Sequence, residues 1–101
     1  MRDMPVCVYA NLVPGPFSDR TAILRVVGQF DLPNVGSTAL TMEYVLGQLN
    51  NRTSARFVLP TLDAIAAVRG AGAAELREGD IVQVGSAQFV VTAGGFEEWS
   101  G

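Results

Sequence analysis

The stretch that most constrains this chain is ELREGDIVQVGSAQFVVTAGG, residues 75 to 95, in which two short apolar runs flank Gly85-Ser86. A two-residue link of this kind is a hairpin signal, and it fixes the register of the strands it joins. It predicts Val84 opposite Ala87, Gln83 opposite Gln88, Val82 opposite Phe89 and Ile81 opposite Val90. One face then carries Val82, Val84, Ala87, Phe89 and Val91, and the other carries the two glutamines beside Ile81 and Val90. That pattern belongs to an antiparallel sheet with one face on a core and one face wet.

The rest of the chain has room for one such core. At 101 residues, 49% of them apolar, it is too short for two ordinary domains, so residues 1–101 are expected to form one. Residues 1–20 hold Pro5, Pro14 and Pro16 around VCVYANLV and read as an extended arm containing at most one short strand. A β core is expected over 21–93 and a short tail over 94–101. TAILRVVGQFDL, residues 21 to 32, is rich in β-branched residues and reads as a strand, with Gly28 marking a bulge or a close backbone approach.

STALTMEYVLGQLNN supports two readings. As a helix it would stripe Ala39, Met42, Leu46 and Leu49 behind a Ser37 cap. As a strand it alternates Leu40, Met42, Tyr44 and Leu46 against Thr41 and Glu43. The strand is favoured, because Gly47 weakens a helix interior and the apolar run ARFVLP after NNRTS would complete a second hairpin. TLDAIAAVRG then predicts a helix with Thr61 as cap, Asp63 in the first turn, Leu62, Ile65, Ala66 and Arg69 at helical spacing, and Gly70 as the stop. GAGAAE follows as a mobile loop. The expected fold is mainly β, a small barrel or sandwich-like antiparallel sheet with one short helix.

The chemistry-bearing residues are sparse. Without histidine the chain lacks the usual general base for Ser or Cys nucleophiles and the commonest transition-metal ligand. Cys7 is the single cysteine, so it forms no intrachain disulfide and is expected as a buried thiol. Glu75, Glu78 and Asp80 cluster at the entry to the hairpin. A small hydrolase could use such acids, but a solvated turn in which Asp80 caps backbone N–H groups is the expected arrangement. No enzyme activity, cofactor or metal is expected. The basic residues are all arginine, scattered along a chain of net charge -3, which does not predict the basic patch of a nucleic-acid grip. Neither a signal peptide nor a membrane span is read from the apolar runs. Charged residues make up only 17%, below the roughly 25% usual for soluble domains. Burial of part of the surface in an oligomer would account for this, as would a polar but uncharged surface.

The order of strand, hairpin, short helix and then L-R-x-G-D-x-V-x-V-G-x-x-x-F-V-V resembles the small head-tail joining proteins of long-tailed bacteriophages, the stopper or connector proteins of the virion neck. Gly79, Asp80, Val82, Val84, Gly85, Phe89 and Val91 match that family's C-terminal hairpin, while AILRVVGQFD and SARFVLPTLDAI fall where it has core strands and a short helix. The likeness covers about residues 20 to 93. The long RGAGAAE stretch and the short tail depart from it. The resemblance implies a structural protein, made in the host bacterial cytoplasm and placed in the virion neck. There, copies form a ring between the portal or its adaptor and the tail terminator or tail tube, in weak non-specific contact with packaged DNA. Interface residues are expected at Arg69, Glu75, Arg77 and Glu78 around the loop, and at Phe96 and Trp99 in the tail. The alternative from another class is a small protein-binding module, such as a phage-encoded inhibitor of a host protein.

Overall fold

A computed structural model describes residues 3–13, 22–33, 36–70, 72 and 75–99. In chain order it contains β1 (Asp3–Asn11), β2 (Leu24–Pro33), α1 (Thr38–Asn50), α2 (Val58–Arg69), β3 (Ile81–Val84), β4 (Ala87–Thr92) and β5 (Gly95–Glu98). The strands form one antiparallel sheet in the order β2-β1-β3-β4-β5. Its ends do not meet, so the sheet is open rather than a closed barrel, with β2 and β5 at its edges.

The β3–β4 hairpin has the register that its turn dictates, with Val84 opposite Ala87 and Ile81 opposite Val90. Gly85 has φ +59 while Ser86 does not adopt a positive φ, as a turn with glycine at its first central position requires. Val82, Val84, Phe89 and Val91 point into the core. Ile81 and Val90 lie on the other face and are buried too, which narrows the wet part of that face.

Residues 3–11 form a nine-residue strand of the sheet rather than part of an extended arm, and residues 1, 2 and 14–20 of that expected arm lie outside the described residues. β1 lies between β2 and β3, with Val6, Val8 and Ala10 buried on the inner face. The spacing of these three residues is a period of two, and Pro5 falls on the opposite face, where it is exposed. The expected strand over 21–32 is β2. Between Val8/Tyr9 its pairing with β1 slips by one residue, leaving Val27 as the extra residue of a bulge beside Gly28. The backbone approach is close as well. A Cβ on Gly28 would stand 2.5 Å from Thr61 Oγ1, so glycine is what lets α2 lie against β2.

Residues 38–50 form a helix and not the strand favoured above. The Ser37 hydroxyl accepts from the Leu40 N–H at 3.1 Å, and the Thr41 hydroxyl donates to the Ser37 carbonyl at 3.0 Å, closing the first turn. Thr41, Met42, Val45 and Leu49 are the buried face, three to four residues apart, so Ala39 and Leu46 of the expected stripe are replaced by Thr41 and Val45. The expected second hairpin is absent, since Val58-Leu59-Pro60 opens α2. This helix begins before Pro60, which falls in the first turn, where its missing N–H would have had no intrahelical partner in any case. Thr61 is accordingly a buried interior residue rather than the cap, while Gly70 ends the helix as expected. Two helices therefore cover the inner face where one was predicted, and Met42, Val45, Leu49, Val58, Leu62 and Ile65 pack on the sheet's valines. At about 1.5 to 3 kcal/mol per fully buried aliphatic side chain, this layer is the main source of cohesion.

The tail also differs from a free terminus. Thr92 pairs with Gly95 across Ala93-Gly94, so residues 95–98 turn back as a fifth strand on β4. Phe96 meets Phe89 edge-on, with ring centroids 5.4 Å apart and planes at 87°.

Candidate functional site

The residues expected to carry chemistry separate into a buried lock and an open surface. The lock centres on Asp80, whose side chain is fully buried where the sequence suggested a solvated turn. Its Oδ1 accepts from the Asn11 N–H and from Arg69 Nη1, both at 2.9 Å, and its Oδ2 accepts from the Arg77 N–H at 2.8 Å. One carboxylate thus ties the end of β1, the last turn of α2 and the turn before β3. Asn11 extends the knot: its Nδ2 donates to the Gly79 carbonyl at 3.3 Å, and its Oδ1 accepts from the N–H groups of Val13 and Ile23. Burial raises the Asp80 pKa above its ordinary value. The N–H groups of Asn11 and Arg77 and the charge of Arg69 pull the other way.

Arg69 is engaged twice, since its Nη2 also donates to the Glu75 carbonyl at 2.6 Å. The Arg77 side chain is exposed and reaches the Gly72 carbonyl at 3.5 Å. Both arginines therefore hold the backbone of the loop after α2. Glu75 and Glu78 are exposed, separated in environment from Asp80, so the three acids do not form a paired-carboxylate site. Residues 71, 73 and 74 of the loop predicted to be mobile lie outside the described residues. Among the described residues no group of three His, Cys, Asp or Glu side chains is placed to hold a metal ion.

The open surface has three parts. On the outer face of the sheet a groove of about 530 Å³ is lined by Pro5, Cys7, Tyr9, Gln29, Asp31 and Gln83. Cys7 is half-buried in it rather than sealed in the core, and Gln29 Nε2 donates to its Sγ at 3.8 Å. The Tyr9 hydroxyl is raised above its ordinary pKa, first by its hydrogen bond with Cys7 and then by burial and the Cys7 charge. On the helix side, Leu40 and Tyr44 of α1 are 52% and 46% exposed, although both are large and apolar in body. They flank a groove of about 370 Å³ floored by Leu32 and Pro33. Next to it Phe30 and Phe57 stack at 4.2 Å, with the Tyr44 ring 6.3 Å from Phe57. Leu40 and Tyr44 stand four residues apart, and that spacing would have flagged them had the segment been read as a helix.

The third part is the pair of sheet edges. β2 is ten residues long and exposes Val26, Gln29 and Asp31; β5 is four residues long and exposes Glu97 and Glu98. Among the described residues no strand pairs with the outer side of either. Of the expected tail aromatics, Phe96 packs on its own core, and Trp99 is half-buried at the end of β5, its N–H donating to the Gln88 carbonyl at 2.7 Å.

Fold and surface together define an open five-stranded antiparallel sheet backed by two helices, with a buried ionic lock and, among the described residues, two unpaired edges. Compared with family models, curated proteins and solved structures, the chain matches none.

Proposed function

We propose that this protein is a structural subunit that works by assembling with copies of itself, in the manner of the ring-forming proteins of the bacteriophage neck that its sequence resembles. The observation that carries the reading is the apolar surface left on the single chain. Leu40, Tyr44 and Leu59 are each about half exposed or more on the helix layer, and Ile23 and Val26 likewise at the β2 edge. Scattered apolar residues are ordinary, but side chains of this size beside an unpaired strand and stacked aromatics suit a surface that is covered in use. Net charge supports the same role. An acidic subunit without lysine does not clamp DNA by counterion release, which suits a ring through which DNA passes.

Light scattering on the purified full chain, followed by electron microscopy of the resulting species, tests the proposal. Closed particles of several subunits are expected; a monomer throughout the micromolar range overturns it. A second reading rests on the β2 edge, which could receive a strand from a different protein, as in an inhibitor of a host factor. A stable monomer that binds one such protein tightly would favour it.

A further inference from the structure

The two edges of the sheet differ in charge. β5 presents Glu97 and Glu98, both exposed, whereas β2 presents Arg25 and has Arg56 on the adjoining groove, both also exposed. The ion pair found among the described residues joins Arg69 to Asp80 and involves none of these four.

The register sets their heights. Val26, Tyr9, Ile81, Val90 and Glu97 stand opposite one another in turn across the sheet, and so do Gly28, Val8, Val82, Phe89 and Glu98. Every neighbouring pair is antiparallel, so the four steps from β2 to β5 leave these two edge strands running the same way. A second copy that continues the sheet therefore lays its β2 parallel to β5 of the first. Glu97 then comes beside Val26 of the neighbouring copy on the outer face, and Glu98 beside Gly28 on the helix face, which Arg25 shares because it stands opposite the buried Ala10. Trp99, bonded to Gln88, comes level with Gln29, because Gln29, Cys7, Gln83 and Gln88 form the next row. Gln29 is on the rim of the outer-face groove.

We propose that β5 of one copy docks in parallel on the β2 edge of a second copy, pairing Glu98 with Arg25 of that neighbour on the helix face of the sheet and laying Trp99 over its outer-face groove. The inference rests on the self-assembly reading and adds the surface, polarity and charge pairing to it. Asp31, the acidic residue of β2, stands two positions beyond Gln29 and so past the rows of Glu97 and Glu98. β5 has four residues and β2 carries a bulge at Val27, so the backbone ladder is short and side chains determine which edges join. Because the two surfaces are different patches of one molecule, the contact is head-to-tail and repeats into a ring or a filament, whereas a β2-to-β2 contact would stop at a dimer.

Charge reversal on the full-length chain tests this. Arg25→Glu makes the β2 edge acidic, and the double change Glu97→Arg with Glu98→Arg makes the β5 edge basic. Each protein alone should lose assembly and run as a monomer in light scattering, with a wild-type circular dichroism spectrum and a cooperative unfolding transition verifying its fold. Mixed in equal amounts they should regain wild-type assembly, since each supplies the edge that the other lacks. Failure of the mixture to assemble overturns the inference, as does wild-type assembly by the variant reversed at residues 97 and 98, which would point to another surface while self-assembly stands. A monomeric wild-type chain would remove both readings together.

Discussion

Asp80 Oδ1 lies 2.9 Å from Arg69 Nη1, with the aspartate fully buried and the arginine side chain 11% exposed. The pair joins the last turn of α2 to the start of β3 across eleven residues of sequence. An arginine at a helix C-terminus is already favoured by the helix dipole, and here it also neutralises a carboxylate that water does not reach.

Replacing Asp80 by Ala leaves the Arg69 charge and the N–H groups of Asn11 and Arg77 without their acceptor. Loss of about 3 to 5 kcal/mol in urea unfolding is expected, the usual cost of breaking a buried pair from one side. Asp80→Asn, which keeps an acceptor oxygen, should cost less. A loss below about 1 kcal/mol for the alanine variant, the range of surface substitutions, would show that the lock adds little.

The same carboxylate sets a pH dependence. Because burial raises its pKa, the folded chain holds the Asp80 proton more readily than the unfolded chain does. Its contribution to stability is therefore fully present below the ordinary carboxylate value and is lost as pH rises through the raised one. Relative to Asp80→Asn, the wild-type melting temperature should rise on acidification through that window. A relative fall would mean that the Arg69 pair outweighs burial and the pKa is lowered.

Gly28 and Thr61 should behave as one unit. An added Cβ at Gly28 would lie 2.5 Å from Thr61 Oγ1 and 3.0 Å from its Cγ2, so Gly28→Ala is expected to cost about 1 to 3 kcal/mol through overpacking. Thr61→Ala removes both atoms, and the double variant should be more stable than the sum of the single changes predicts. Simple additivity, measured by denaturant unfolding, would mean that α2 shifts aside without strain.

Deleting residues 96–101 removes Phe96 from Phe89 and uncovers β4. The isolated subunit should lose about 2 kcal/mol or more from the exposed apolar area. Unchanged stability with failed assembly would instead make the tail purely an anchor for a partner.

The parts that were legible in the sequence are those whose determinants lie a few residues apart. The β3–β4 register follows from Gly85-Ser86 and the alternation around it, the identity of β2 from its β-branched run, and the end of α2 from Gly70. What tertiary structure decided depends on partners far along the chain. Residues 38–50 carry both periods, and the sheet's inner face, apolar at Val6, Val8, Val82 and Val84, selects the helix because Met42, Val45 and Leu49 can cover it together from one side. Asp80 sits in a stretch with every mark of a polar turn, yet its acceptor positions are filled from Asn11, 69 residues away, and from Arg69 on a helix. Local sequence sets how a segment bends and alternates; only the packed chain decides which of its faces meets water, because that face is determined by whatever element comes to lie against it.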